Sequence, residues 1–395
     1  MNVLRLIDPR NGNIPEFLVP RFEVRIAGVG LPNDVLRDVS EITYRDSLTE
    51  LDQFELTVNN WDSEARQFKY IGSETEANRK EPRYTLFEPC GKRVGISFGY
   101  LDDMMLMMTG TFTTMETAFN QSGGSTLTAR GLNAFHMMRT TKYTTAWENK
   151  TPSEIAKDIG TRTNAGKKRF PLPVEIIEGT EGREQKIPFV TESSQFDIDF
   201  LLNLARQHGY EISTKLNKRG DAIALLFGNP SDSPRAVIQL DWGQTLVEFK
   251  PKLSTAGTFN SITVKGWDRK TQKPIAAKVD WNSKELRGMN SKFRELVEKC
   301  DRQDNEVVDL PVFSVADARR RAVGLMRDNS ARIIQATGTT IGFPELRAGR
   351  KLLIRGIGAR LSGEYLVTKS THSIGDGGYT TKFECRLEDF KGKSS

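Results

Sequence analysis

The stretch Gly349-Arg350-Lys351-Leu352-Leu353-Ile354 decides the fold, because the earlier stretch Gly91-Lys92-Arg93-Val94-Gly95-Ile96 has the same pattern. Each stretch is followed by a glycine and then by a Gly-Gly pair: Gly110 with Gly123-Gly124, and Gly363 with Gly377-Gly378. We interpret each copy as a short strand, a turn, a long strand opened by the glycine, a Gly-Gly turn and a return strand. Two such β-units per subunit would give a trimer six similar faces, so that a threefold object could dock on a sixfold one. A chance match of glycine-rich hairpins is the alternative.

The composition is that of a globular chain with room for two or three domains. It has 395 residues, of which 27% are charged and 37% hydrophobic, and no run of 18 apolar residues that would predict a membrane span. Met1 is followed too soon by Asp8 and Pro9 for a signal peptide, so we expect production in the cytoplasm of the host or producer cell. The excess of six basic residues is scattered. We expect no specific nucleic-acid partner, although a basic DNA-binding protein stays an alternative.

The pattern along the chain predicts a mainly β protein, α+β overall, in three regions. Residues 1–135 show closely spaced alternating strands, which we expect to close into a small antiparallel barrel. Residues 136–240 form an inserted α+β module with a capping box at Thr151-Pro152-Ser153-Glu154 and a helix from Phe196 to His208. Residues 241–395 return to strands and form a second barrel, with a helix at about 314–328.

Sequence signatures of catalysis and metal binding are scarce. There is no HExxH, GxSxG or P-loop motif, and no CxxC spacing. The histidines and the cysteines, which we expect to be free thiols, are His136, His208, His372, Cys90, Cys300 and Cys385. We therefore expect no enzyme: no catalytic, cofactor-binding or metal-binding residues, and no cofactor. Carboxylates are abundant, so a protein that also cleaves peptidoglycan stays open as an alternative.

Four segments resemble the baseplate hub family of contractile tails. That family includes the late control protein D of myophages, the Mu-type hub, and the hub portion of the spike proteins of type VI secretion and contractile injection systems. The similar segments are Thr151–Ala156, Gln195–Tyr210, Ile262–Asp268 and Gly349–Arg386. The second segment departs from the family pattern in two ways, because Glu192 precedes the glutamine and Asn203 stands where arginine is common.

The resemblance implies a structural symmetry adaptor rather than an enzyme. In this family a homotrimer presents two tube-protein-like barrels per subunit as a pseudo-sixfold ring. One face of the ring continues into the hexameric inner tube protein, and the other holds the central spike protein. Loops such as residues 63–81 are then candidate contacts with other baseplate proteins. The chain reaches only the second barrel, so we expect the spike to be a separate protein, and no membrane insertion by the hub itself. The resemblance implies that the ring is part of a phage or an injection particle, in which the DNA-binding alternative would be a protein of the tail lumen.

Overall fold

The computed structural model describes most of the chain, and the fold is mainly β, as the sequence predicts. The described residues are 3–5, 19–89, 91–101, 103–120, 124–164, 166–168, 170, 172–208, 210–216, 222–228, 237–268, 271–286, 304–307, 312, 314–330 and 332–387. Within these ranges, no helix has the length and apolar character that crossing a bilayer requires. Cys90, Cys300 and Gly123 lie outside the described residues.

Strands of the first third of the chain alternate buried and exposed side chains and pack around one hydrophobic core. The elements of this region are β1 (Val3–Arg5), β2 (Pro20–Ile26), β3 (Val29–Gly30), α1 (Asn33–Asp38), β4 (Val39–Ser47), β5 (Gln53–Asn59), β6 (Trp61–Asp62), β7 (Gln67–Phe68), β8 (Arg93–Tyr100), β9 (Asp103–Ala118), β10 (Thr126–Asn133) and a 3-10 turn (Ala134–Arg139). We call β2, β4, β5, β8, β9 and β10 the first β-unit.

The middle region has its own core and contains two of the four described helices. Its elements are β11 (Lys142–Lys150), α2 (Pro152–Thr161), β12 (Thr163–Asn164), β13 (Lys167–Lys168), β14 (Val174–Ile176), a 3-10 turn (Glu181–Arg183), β15 (Ile187–Phe196), α3 (Asp197–His208), β16 (Glu211–Leu216) and β17 (Ala222–Gly228). The predicted capping box is confirmed, since the amide of Glu154 donates to Thr151 Oγ1 at 3.2 Å and the amide of Thr151 donates to Glu154 Oε2 at 2.8 Å.

The last region returns to the large sheet and contains a third core. Its elements are β18 (Val237–Asp241), β19 (Leu246–Leu253), β20 (Ser261–Asp268), β21 (Lys273–Asp280), a 3-10 turn (Lys284–Leu286), β22 (Asp304–Val307), α4 (Val315–Ser330), β23 (Ile334–Ile341), β24 (Lys351–Arg355), β25 (Gly363–Gly375) and β26 (Gly378–Leu387). We call β18, β19, β23, β24, β25 and β26 the second β-unit. Helix α4 confirms the predicted helix and packs against β20 and β21.

The two β-units have the same strand order. The first is arranged β2-β8-β9-β10-β5-β4 and the second β18-β24-β25-β26-β23-β19, so each places its six strands in the order first, fourth, fifth, sixth, third, second. Four corresponding strand pairs are antiparallel in both units. The remaining pair differs, because β2 runs antiparallel to β8 whereas β18 runs parallel to β24.

Two β-bulges also occur at equivalent places in both units. Between the fifth and sixth strands the bulged residue is Thr113 in the first unit and Thr368 in the second. Each threonine hydroxyl donates across the bulge to a carbonyl of the sixth strand, that of Arg130 at 3.4 Å and that of Glu384 at 3.2 Å. Between the second and third strands the bulged residues are Ser40 and Val247. Shared bulges align the two units residue by residue, because a bulge fixes strand register locally.

One detail of the predicted repeat is wrong. Gly363 opens β25, but Gly110 lies inside β9, which already begins at Asp103. A side chain at position 110 would place its Cβ 2.1 Å from the carbonyl oxygen of Leu132 in β10. Gly110 is therefore a point of close backbone approach within a strand rather than the start of one.

The two units are joined by a strand pair that crosses between them. Residues Lys369–Gly375 of β25 pair antiparallel with Glu41–Ser47 of β4, beyond the segment of β25 that pairs with β24. Two residues of the β25–β26 hairpin, Ile374 and Tyr379, lie in the core of the first unit. The six-stranded sets thus form parts of one continuous 14-stranded sheet.

Candidate functional site

Polar side chains from both β-units meet in the interior where β4 pairs with β25. Asp46, on β4, accepts from Nε of Arg347 at 3.2 Å, from the amide of Ala348 at 3.1 Å and from the hydroxyl of Ser370. Arg347 also donates to the hydroxyl of Tyr44, and its guanidinium carbon lies 5.0 Å from the centre of the Tyr44 ring. We call this cluster, with His372, the joint. It connects residues that are about 300 positions apart in the chain.

His372 occupies the centre of the joint and is fully buried. Its Nε2 lies 3.0 Å from the carbonyl oxygen of Leu346, which can only accept, so Nε2 carries the proton. Its Nδ1 then accepts from the hydroxyl of Tyr379 at 2.9 Å or of Thr381 at 3.1 Å. Burial lowers the pKa of His372 to about 4, and the imidazole is therefore neutral at neutral pH.

A second carboxyl group, that of Asp52, lies near the joint, where the charges of Asp46 and Arg347 act on its pKa. Burial, followed by the negative charge of Asp46, raises the pKa of Asp52 to about 7, although Arg347 opposes the shift. The pKa of Arg347 is raised by Tyr44, Asp46 and Asp52, against the opposing effect of burial. A single charge pair plus one protonated carboxyl group is the neutral arrangement that a low-dielectric interior favours.

The joint contains serine, histidine and aspartate, but not in the order that nucleophilic catalysis uses. The hydroxyl of Ser370 donates to Asp46, and Asp46 does not contact His372 through a hydrogen bond in the described structure. Ser370 and His372 are fully buried, so a substrate cannot reach the hydroxyl. The arrangement instead fixes the register of β4 against β25, because each polar group would be left unpaired by a slip.

A second buried cluster explains the motif residues of the inserted module. Nη1 of Arg162, the residue after α2, donates to Glu192 at 2.8 Å and to Asp197 at the start of α3. The guanidinium carbon lies over the rings of Tyr143 and Trp147, at 5.4 and 5.2 Å from their centres. Glu192, whose position departs from the family pattern, is therefore a structural residue that ties β15 to α2 and α3.

The remaining histidines and candidate ligands do not come together. Burial lowers the pKa of His208 to about 4 at the end of α3, and His136 lies in the 3-10 turn after β10. Among the described residues, no group of three or more His, Cys, Asp or Glu side chains could hold a metal ion. Cys385 is a buried free thiol, as expected.

A cleft of about 410 Å³ lies between the first β-unit and the inserted module. Arg139 and Asp199 form an ion pair of 2.7 Å in its wall, and Leu51, Leu132 and Leu202 line it. The rest of the lining is polar, and a polar surface with few apolar side chains is typical of a domain boundary.

A family model described as Alg8 N-terminal domain matches residues 20–376, most of the chain. No curated protein matches the chain in sequence.

The chain shares its fold with solved proteins of low sequence identity, among them two tail proteins. The 43 kDa tail protein of prophage MuSo2 from Shewanella oneidensis is 14% identical, with a TM-score of 0.66 over 93% of this chain and 98% of that one. A tail protein from Neisseria meningitidis MC58 is 12% identical, with a TM-score of 0.63 over 93% and 97%. The E. coli c3393 protein, described as a component of the type VI secretion system, is 11% identical, with a TM-score of 0.53 over 92% and 76%.

Proposed function

We propose that this chain, which belongs to the family described as Alg8 N-terminal domain, is a structural subunit of a phage-tail or injection-system baseplate. In that role it is the hub, a homotrimer whose six β-units form a pseudo-sixfold ring. One face of the ring joins the hexameric inner tube and the other holds the central spike. Other baseplate proteins contact its outer loops.

The shared architecture of the two β-units supports this proposal more than any other observation. Strand order and both bulges coincide, so the two units can present similar surfaces to a sixfold partner. Similarity in fold to the tail proteins of Shewanella oneidensis and Neisseria meningitidis supports the same assignment to a tail. A heterologous contact that closes after three subunits yields a ring with a central channel.

A mechanical role also agrees with the chemistry of the joint. Its polar groups are mostly buried and are hydrogen-bonded to one another, and they connect the two units of one subunit. A rigid connection of this kind transmits load between a tube and a spike without a catalytic step. Sustained clearing of a cell-wall suspension by the purified protein would contradict the non-enzymatic part of the proposal.

Native mass spectrometry of the purified full-length chain tests the stoichiometry. We expect a complex of three times the chain mass of 44.4 kDa, seen in negative-stain images as a ring with a central channel. A protein that remains monomeric at high concentration, or that forms a twofold dimer, would contradict the ring.

A further inference from the structure

Two strand edges remain open at positions equivalent to the contact that joins the β-units inside the chain. In the joint, the second strand of the first unit (β4) pairs with the end of the fifth strand of the second unit (β25). The counterparts are β19, the second strand of the second unit, and the end of β9, the fifth strand of the first unit. Among the described strands, β19 pairs only with β23, and β9 beyond Phe112 pairs only with β10.

We infer that β19 of one subunit pairs antiparallel with the end of β9 of a second copy of this chain, in the same way as β4 pairs with β25. The inference deepens the proposed function and rests on it for the closure of the ring. It names the strands through which one subunit contacts the next. Addition of a strand to an open sheet edge is a common mode of protein association, because the backbone supplies the hydrogen bonds.

The bulges give the register of this contact. Thr371 lies three residues after the bulge at Thr368, and Glu116 lies three residues after the bulge at Thr113. Arg45 lies five residues after the bulge at Ser40, and Lys252 lies five residues after the bulge at Val247. Lys252 is therefore the counterpart of Arg45. Because Thr371 pairs with Arg45 inside the chain, Glu116 of one subunit should lie opposite Lys252 of the next.

Side chains at the predicted register are complementary. Glu116 faces Lys252, and Lys252 has no ion pair within the described residues, whereas Glu116 and Glu55 share the single guanidinium of Arg130. The β9 edge therefore carries an excess negative charge that a lysine neutralises. The same register places Met115 opposite Leu253, so that an apolar pair flanks the charged one.

Residues of the open strands are more exposed than their counterparts in the covered strands, as expected where a neighbouring strand is missing. Leu253 is 40% exposed, whereas its counterpart Asp46 is 5% exposed. Phe119, directly after β9, is 57% exposed, whereas its counterpart by the bulge alignment, Ile374, is 6% exposed. Large apolar side chains at an open strand edge are a liability unless a partner covers them.

Pro251 lies within β19 and supplies no backbone N–H. Its counterpart in β4, Tyr44, has one. Proline within a strand is found at sheet edges, and β19 is an edge strand among the described strands.

A cysteine pair across the predicted contact tests the inference directly. The full chain carries Glu116→Cys and Lys252→Cys, with Cys90 and Cys300 replaced by serine and the buried Cys385 retained. We expect oxidation, or a short thiol crosslinker, to produce covalent oligomers on a denaturing gel. Each variant with only one of the two introduced cysteines should run as a monomer on the same gel. The matched control is Arg45→Cys with Thr371→Cys, which should form the equivalent link within one chain and no oligomer.

The outcomes separate this inference from the proposed function. If native mass shows an oligomer and the control pair crosslinks, but the 116–252 pair does not, the strand assignment is overturned and the ring survives. If the protein stays monomeric and no crosslink forms between chains, both fail. Charge reversal provides a second measure: Lys252→Glu should weaken association by about 2- to 5-fold per contact, and adding Glu116→Lys should restore it. Failure of the double variant to recover would contradict the register.

Discussion

The first and second β-units have the same strand order, yet their second strands have different surroundings. In the first unit β4 lies between two neighbours, and its central residues Thr43, Tyr44 and Asp46 are buried. In the second unit β19 has one neighbour in the described sheet, and its residues Lys250, Lys252 and Leu253 are exposed. The comparison shows that a repeated fold can keep its topology while the residue types of one strand depend on whether another strand covers it.

The direction of the first strand is the other difference between the units. Strand β2 runs antiparallel to β8, but β18 runs parallel to β24 and carries β1 on its far side. The chain enters β18 from the inserted module, whereas it enters β2 near the N-terminal end. Connectivity therefore differs at the start of each unit, while the five strands that follow agree.

Removal of Arg347 should have the largest effect on stability, because Arg347 belongs to the covered contact between β4 and β25. The equivalent strand β19 has no such contact among the described residues. Arg347→Ala leaves Asp46 buried without its cation, and loss of one partner of a buried pair typically costs about 3–5 kcal/mol. Urea denaturation should show a lower free energy of unfolding by that amount. Lys250→Ala, which removes the exposed pair of Lys250 with Glu248 on the equivalent strand, should change it by less than about 1 kcal/mol. Equal effects of the two variants would contradict the role of the joint.

Packing of glycine under an aromatic ring should matter similarly in both units. A Cβ on Gly131 would lie 2.3 Å from the Phe54 ring, and one on Gly338 would lie 2.4 Å from the Phe383 ring. Each alanine variant should lose about 1–3 kcal/mol through overpacking. Gly377→Ala, with open space around its Cβ, should stay within about 0.5 kcal/mol in the same urea titration. The two glycines lie on different strands of their units, the sixth (β10) and the third (β23). A tolerated alanine at either site would contradict close glycine–ring packing as a feature that both units use.

The pH dependence of stability should identify the extra carboxyl group near the joint. The folded pKa of Asp52 is raised to about 7, from an ordinary value near 3.8. Its favourable contribution is therefore complete below about pH 4 and is lost as the pH rises through 7. Between pH 5 and pH 8 the natural chain should lose about 2–3 kcal/mol relative to Asp52→Asn.

This comparison isolates Asp52 because His372 is present in both proteins. The lowered pKa of His372 acts in the opposite direction, with stability complete above about 6.5 and lost as the pH falls towards 4. Parallel stability profiles of the two proteins from pH 5 to pH 8 would mean that Asp52 titrates normally.

The bulge threonines should give the smallest effects, and these should be nearly equal. Thr113→Ala and Thr368→Ala each remove one hydroxyl bond to a strand carbonyl, which is worth about 0.5–1 kcal/mol. Thermal unfolding of each variant measures the loss. Thr114→Ala, next to the first bulge and exposed, serves as the control with no expected change. A large loss at one bulge alone would show that the two bulges have different roles.

Local signals in the sequence were sufficient for much of the fold. The capping box at Thr151 and Glu154 predicted the start of α2, because its hydrogen bonds lie within one turn. Helix α3 followed from its apolar stripe, and α4 from the N-cap Ser314 with Asp317 in the first turn. The meander of β24, β25 and β26 was predicted from its glycines, since each turn closes between neighbours in sequence.

Long-range contacts could not be predicted in the same way. Asp46 and Arg347 carry no local pattern that links them, and only the pairing of β4 with β25 brings them together. Likewise Arg162 follows α2 without any signal that it binds Glu192 and Asp197. Gly110 misled the prediction because a glycine inside a strand and a glycine at its start have the same sequence signature.

Cryo-electron microscopy of the assembled ring tests the central claim most directly. The account predicts three subunits whose β-units alternate around one axis, with the end of β9 in each subunit beside β19 of the next. A ring in which neighbouring subunits meet through other strands, or in which the two β-units of a subunit occupy non-equivalent radial positions, would contradict it.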